Sequence, residues 1–289
     1  MKMSKRAVIA TSTGCLDYLD LDHDNLRILR MKITINEDTH DDFIGITADE
    51  FYRRLKEDDS LVPTSSMPSP GELYELLDEL EGAGYDEVFV ITISSGLSGT
   101  YGVCTAAMQN YEGNLTVHVV DSRNAAISEG WLSLETLRLI ADDVPSADIL
   151  AYLERIRTSR KQYFMVDNLR LFVANGRLSG ASGFIGGLLK IKPILEVNDE
   201  GKIVPFQKVR TQKRALKEMV DIVIADLNKL KDFVVTYDTS DNTEGIAYVK
   251  ERIAEAFPNY KYFEAPITPV IGCHTGIGTV GVAYFDLSE

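Results

Sequence analysis

The sequence predicts a two-domain chain: a parallel-sheet α/β domain over residues 1–158 and an α+β domain over residues 159–289. Three observations carry that expectation. Strand-like and helix-like runs alternate through roughly the first 150 residues, the pattern of a parallel sheet covered by helices on both faces. Beyond that point the alternation gives way to paired apolar runs around a turn sequence, Asn198-Asp199-Glu200-Gly201. Several strands also end abruptly in hydroxyls and glycines, the residue types found where strand ends of open α/β sheets form a ligand crevice. With 289 residues the chain can bury one large core or two modest ones.

The first strand is expected over residues 7–10, running into Thr11-Ser12-Thr13-Gly14-Cys15. Residues 29–35 alternate as a further strand, with a partner over residues 41–46. Thr47, followed three residues later by Glu50, opens a helix in the capping-box pattern, continued by Phe51 and Leu55. Pro63, Pro68 and Pro70 argue against a regular helix or central strand in the next segment, which is rich in hydroxyls. Ser69 then caps a second helix, with Pro70 in its first turn and Glu72 behind it. Leu73, Leu76, Leu77 and Leu80 form its buried stripe, and Gly82 and Gly84 end it. Strand 88–93, helix 102–110, strand 116–120 and helices 126–142 and 146–157 complete the first domain. In the second, the apolar runs 163–166 and 169–174 precede Gly176-Arg177-Leu178-Ser179-Gly180, and residues 184–189 read as a short helix. A hairpin over 191–197 and 203–208 follows, then helix 211–229, strand 233–237, helix 243–256 and strands near 260–264 and 280–285. Gly272-Cys273-His274-Thr275-Gly276-Ile277-Gly278 reads as a loop ahead of the last strand.

Composition bounds the function. Thirty Lys and Arg against 44 Asp and Glu leave a net charge of −14, which opposes nucleic-acid binding, because that affinity comes from neutralising phosphates. A local basic seat for a small anion is still allowed. The chain shows no run of about 18 apolar residues and no signal-like start, so a cytoplasmic protein without stable membrane insertion is expected. Cys15, Cys104 and Cys273 fit neither a disulfide framework nor a CxxC pair, and no metal site is expected.

The most pointed stretch is Ile93-Ser94-Ser95-Gly96-Leu97-Ser98-Gly99-Thr100-Tyr101, where a strand meets a helix. Hydroxyls and backbone N–H groups at such a junction can hold a carboxylate or phosphate. The same residue types also serve as ordinary caps and turns. Residues 11–13, 64–69, 176–179 and 272–278 echo it, bringing Arg177 and His274 into consideration. His23 and His40 sit among acidic residues and His118 lies within a strand, so these three read as solvated or structural. The nucleophile elbow GxSxG is absent, since Ser98 in Gly96-Leu97-Ser98-Gly99 is one residue out of register. No Walker A loop occurs, and the late glycine run precedes a strand, unlike a dinucleotide fingerprint.

Taken in order, several strings resemble the motifs of DegV proteins over nearly the whole chain. They are Thr11-Ser12-Thr13, Ser65-Ser66-Met67-Pro68-Ser69-Pro70-Gly71-Glu72, the Ser94 to Tyr101 string and Val120-Asp121-Ser122-Arg123. Further along come Gly176-Arg177-Leu178-Ser179, Leu189-Lys190-Ile191-Lys192-Pro193-Ile194 with Val209-Arg210-Thr211, and Gly272-Cys273-His274-Thr275-Gly276. The resemblance implies a DegV-like fold with a long-chain fatty acid in a tunnel between two domains. It implies a FakB-type subunit of bacterial fatty acid kinase, which does no chemistry alone. Such a subunit presents the acid's carboxyl to a FakA-like kinase subunit for acyl-phosphate formation in phospholipid synthesis. No cofactor is implied beyond the bound acid.

By motif, the carboxylate-binding hydroxyls fall on Ser65, with Thr64 as an alternative, and on Ser95, with Ser94 as an alternative. The late histidine is His274, and the arginine is Arg177, for partner recognition or support of phosphoryl transfer. This chain departs from the family in having Ser65-Ser66-Met67-Pro68-Ser69 for Thr-Ser-Gln-Pro-Ser, and Thr11 for an aspartate. Phe164, Phe172, Phe184, Ile185, Leu188 and Leu189 are candidates for the tunnel wall or for plain core. The alternative class is a serine-dependent esterase or acyl transferase using Ser95 or Ser98 with His274.

Overall fold

The structure, a computed structural model, describes residues 4–178 and 191–288. Its earlier strands are β1 (Arg6–Thr11), β2 (Leu26–Leu29), β3 (Lys32–Ile35), β4 (Asp38–Asp41), β5 (Thr64–Ser66), β6 (Glu87–Thr92) and β7 (Thr116–Asp121). Four of them make an all-parallel sheet in the order β2-β1-β6-β7, and the other three a small antiparallel sheet, β4-β3-β5. The later strands are β8 (Lys161–Met165), β9 (Ile194–Val197), β10 (Ile203–Gln207), β11 (Phe233–Thr239), β12 (Lys261–Pro266) and β13 (Val280–Asp286). They form a sheet in the order β10-β9-β8-β13-β11-β12, antiparallel except between β11 and β12. An N-terminal parallel sheet followed by a mixed one is the predicted fold class.

The helices are α1 (Ala48–Glu57), α2 (Pro70–Gly82), α3 (Thr100–Ala107), α4 (Ile127–Ala141), α5 (Ser146–Thr158), α6 (Arg170–Ala174), α7 (Gln212–Leu227), α8 (Thr243–Ala256) and α9 (Pro269–Thr275). Strand periodicity sorts the cores. Ala7 and Ile9 of β1 face Leu73, Leu77 and Leu80 of α2, whereas Val8 faces Trp131 of α4 and Leu153 of α5. That second core also takes Val234 of β11 and Phe285 of β13, so α4 and α5 lie between the two large sheets. Helices α7 and α8 cover the far face of the mixed sheet through Leu216, Val220, Val249 and Ile253. Layers therefore run helix, sheet, helix, sheet, helix. Eleven residues of α4 are buried, Glu129 among them, as expected of a helix covered on both sides.

Local signals explain most boundaries. The Ser69 hydroxyl accepts from Glu72 N at 3.3 Å and the Glu72 carboxylate accepts from Ser69 N at 2.7 Å, completing the capping box. Three expectations are corrected. Residues 29–35 are not one strand: the chain leaves the parallel sheet at Leu29 and joins the small sheet at Lys32. The partner of that second piece is β4 rather than residues 41–46, because Asn36, in the left-handed region at φ 55°, turns the chain early. Residues 269–275 form α9 where a loop was expected. Pro269 suits the first helical turn, and Gly276 at φ 69° lets the chain leave it. The helix expected over 184–189 lies outside the described residues.

Candidate ligand-binding site

Strand β5 sits at the edge of the small sheet, with Ser65 opposite Ile33 of β3. A period of two turns Ser65 inward and leaves Thr64 and Ser66 exposed, so Ser65 rather than Thr64 points into the protein. Helix α9 carries His274 in its last turn, and the Ser65 hydroxyl lies 2.8 Å from His274 Nε2. Gly272 lets α9 pack closely on α1: a Cβ there would stand 2.7 Å from Phe51 Cε1 and from the Tyr52 hydroxyl oxygen. Asn175 then ties the neighbouring segments together, donating through Nδ2 to the carbonyls of Pro63 (3.1 Å) and Cys273 (2.8 Å). Arg177 follows two residues later, exposed, with its guanidinium on the Asn175 carbonyl at 2.7 Å. Ser65, His274 and Arg177, distant in sequence, are thereby gathered at one place.

Withdrawal of the imidazole from water, with the nearby Arg177 charge second, lowers the pKa of His274 to about 4. His274 is therefore neutral at pH 7, and its Nδ1 is buried without a hydrogen-bond partner among the described residues. Beside this pair opens a narrow cavity of about 70 Å³. Its polar groups come from Thr13, Ser65, Ser98, Arg177, His274 and Thr275, and Met31, Ile93, Leu97, Phe172, Ile203 and Val270 are among its apolar wall. The space suits a head group with a few carbons. Phe172 is on the wall, while Phe164 packs behind it in the core, ring centroids 6.0 Å apart. Phe184, Ile185, Leu188 and Leu189 lie outside the described residues.

The serine string divides its labour. Ser95, expected at the carboxylate, is absent from the cavity wall. Its hydroxyl donates to Asp121 at 2.6 Å and its N–H to the same carboxylate at 3.0 Å, which also accepts from Arg123 N at 3.0 Å. Ser94 is buried and donates to the Gly201 carbonyl at 2.7 Å. The hairpin turn carrying Gly201 is pinned by Arg160, which is fully buried and donates to the carbonyls of Arg123, Val197 and Asn198. Ser98 is the serine of this string that faces the cavity, its hydroxyl 2.8 Å from that of Thr100. The pairing of His274 with Ser95 or Ser98 is not formed, because its Nε2 is on Ser65. Nor, among the described residues, does any acidic group orient Nδ1, as a hydrolytic triad requires. Thr13 and Asn175 were not singled out from sequence. Thr13 stood within a quoted motif, and the Asn175 side chain gives no periodic or motif signal.

A family model described as DegV, an uncharacterised protein family, matches residues 5–287. A DegV domain-containing protein of Listeria monocytogenes is 34% identical over 281 residues, covering 97% of this chain and 98% of its own length. The crystal structure of DegV, a fatty acid binding protein from Bacillus subtilis, superposes with a TM-score of 0.87 at 31% identity, over 98% of this chain and 99% of that one. A fatty acid binding DegV family protein from Streptococcus agalactiae superposes with a TM-score of 0.90 at 28% identity, over 99% and 100%.

Proposed function

The chain belongs to the DegV family, and on that premise we propose that it binds a long-chain fatty acid and presents its carboxylate to a FakA-like kinase subunit in the cytoplasm. The single observation behind this reading is the Ser65–His274 pair on the wall of a cavity that apolar side chains also line. Fatty-acid binding by the Bacillus and Streptococcus relatives supports it. The site draws on both sides of the division we place at residue 158, Ser65 and Ser98 from one and Arg177 and His274 from the other.

A carboxylate withdrawn from water needs hydrogen-bond donors and a positive charge, at a cost of several kcal/mol without them. Ser65 supplies a donor, Arg177 a cation at the rim, and His274 a second cation once the anion is bound. The bound charge favours protonation of the imidazole and offsets the desolvation that otherwise keeps it neutral. Each CH₂ of the acyl chain placed against apolar wall adds about 0.8 kcal/mol. Presentation to the kinase leaves one carboxylate oxygen to attack the terminal phosphorus of ATP, breaking its bond to the ADP oxygen. The exposed Arg177 would stand beside that transfer, while Ser95 holds the loop through Asp121 rather than touching the acid.

Native mass spectrometry of the purified protein, followed by denaturing lipid extraction, tests the reading. A bound long-chain acid released on denaturation is expected. A protein that is empty and also rejects added oleic acid overturns it.

A further inference from the structure

Behind the cavity wall lies a carboxyl group that the proposed function does not use. Glu129 is 1% exposed, on the helix between the two large sheets. Helix α4 comes so close to the Thr11–Gly14 turn that a Cβ on Gly130 would lie 2.1 Å from the Gly14 carbonyl oxygen. That contact puts the Glu129 side chain under the turn. Its Oε1 meets the hydroxyls of Thr11 and Thr13, the latter at 2.8 Å, and its Oε2 is buried without a partner among the described residues. The two hydroxyls are 2.8 Å apart, and that of Thr11 also accepts from Ile93 N at 3.2 Å. Thr13, unlike Thr11 and Glu129, lines the cavity.

Counting protons in this cluster gives two arrangements. With Glu129 ionised, its Oε1 takes both threonine protons, because charge-assisted bonds are the strongest available there. Thr13 then shows the cavity only lone pairs, which repel an anion. With Glu129 protonated, three protons serve the cluster instead of two. The Glu129 hydroxyl donates to Thr11, Thr11 donates to Thr13, and the Thr13 proton is free to point into the cavity. The Thr11 oxygen meets its two incoming donors, Ile93 N–H and Glu129, with its two lone pairs.

Resting on the fatty-acid reading, we propose that Thr13 is a further donor to the ligand carboxylate, and that Glu129 is the positioning residue that frees its proton. The surroundings favour the protonated arrangement. Burial raises the pKa of Glu129 well above the usual carboxylate range, and the charged groups acting on it, Asp42 on the loop after β4 and Asp121 at the end of β7, raise it further. The Cys15 thiol beside it is also pushed up by burial, and so stays neutral. Among the described residues, the charges acting most strongly on Glu129 are the carboxylates of Asp121 and Asp42.

The test is oleic acid affinity of the full chain as a function of pH, from neutral to the most alkaline pH at which thermal melts show it folded. For the unmodified protein, affinity falls about tenfold as Glu129 ionises. Glu129→Gln, whose amide donates permanently, loses that fall and keeps only the pH dependence that proton uptake by His274 gives to anion binding. Thr13→Val binds about tenfold more weakly at low pH and keeps only the His274 part of the pH dependence, and Thr13→Ser restores the affinity and the Glu129 part. Parallel pH profiles for the unmodified protein and Glu129→Gln overturn the inference, as does Thr13→Val binding like the unmodified protein. Either result leaves fatty-acid binding standing. If the unmodified protein takes no oleic acid at any pH, the fatty-acid reading falls, and the inference with it. Should Glu129→Gln fail to fold, the Thr13→Val and Thr13→Ser pair decides alone.

Discussion

Ser65 and Ser95 look alike in the sequence, each a serine in a hydroxyl-rich motif, yet the fold gives them opposite partners. Ser65 lies on a short edge strand against a neutral imidazole. Ser95 lies in a strand-to-helix turn against a carboxylate. The difference decides which of them can receive an anion. Asp121 occupies the one proton Ser95 has, so Ser95 can show an incoming carboxylate only lone pairs. His274 can accept from or donate to Ser65 according to its own protonation, so the Ser65 proton can be released to a ligand. The group behind a hydroxyl, more than the hydroxyl itself, sets its use.

The largest effect expected from this contrast is on stability. Asp121 accepts from Ser95 N, the Ser95 hydroxyl and Arg123 N, and Arg123 is in the left-handed region at φ 52°. Asp121→Ala leaves these donors without their charged acceptor and should cost about 3 kcal/mol in a urea titration. A loss under about 1 kcal/mol would mean that the turn is held elsewhere, and the contrast with Ser65 would lose its basis.

Next in size are changes on the Ser65 side. Ser65→Ala should weaken oleic acid binding about tenfold, or 1.4 kcal/mol, with little change in stability. His274 adds a pH signature in the free protein. Its folded pKa, about 4, lies below the ordinary value of 6.5, so its contribution to stability is full above about pH 6.5 and is lost as pH falls toward 4. Buried Asp42 and Asp238, both raised to about 7, act in the opposite sense, their contribution being lost as pH rises toward 7. Comparing the acid limbs of the unmodified protein and His274→Asn isolates the histidine. The variant should lose less stability between about pH 6.5 and pH 4.5, and identical limbs would rule out a neutral, buried His274.

Signals that act within a few residues were legible in the sequence. The Ser69 and Glu72 capping box, the stripe of Leu73, Leu77 and Leu80 with Leu76 only half-buried beside it, and the hairpin turn at Gly201 are local chemistry and appear near where they were expected. Residues that depend on distant partners were not. Nothing around Arg30 announces that the chain changes sheets there, since both pieces alternate alike. Glu129 reads as one polar position on an ordinary helix until a second sheet is seen to cover it. The serine string was visible as a strand-to-helix junction. Which serine faces the cavity depends on Asp121 and Gly201, 26 and 107 residues from their partners Ser95 and Ser94.

The smallest effect sharpens the contrast most. Ser95→Ala removes a hydroxyl that donates to Asp121, while Ser95 N and Arg123 N continue to hold that carboxylate. A loss of about 1 kcal/mol in stability is expected, with oleic acid affinity unchanged. The double variant Ser65→Ala with Ser95→Ala should then bind like Ser65→Ala alone, since sites that share no partner act independently. If Ser95→Ala instead weakens binding as much as Ser65→Ala does, the Ser95 hydroxyl leaves Asp121 when the acid arrives. The loop would then rearrange on binding, and the two serines would carry the same role after all.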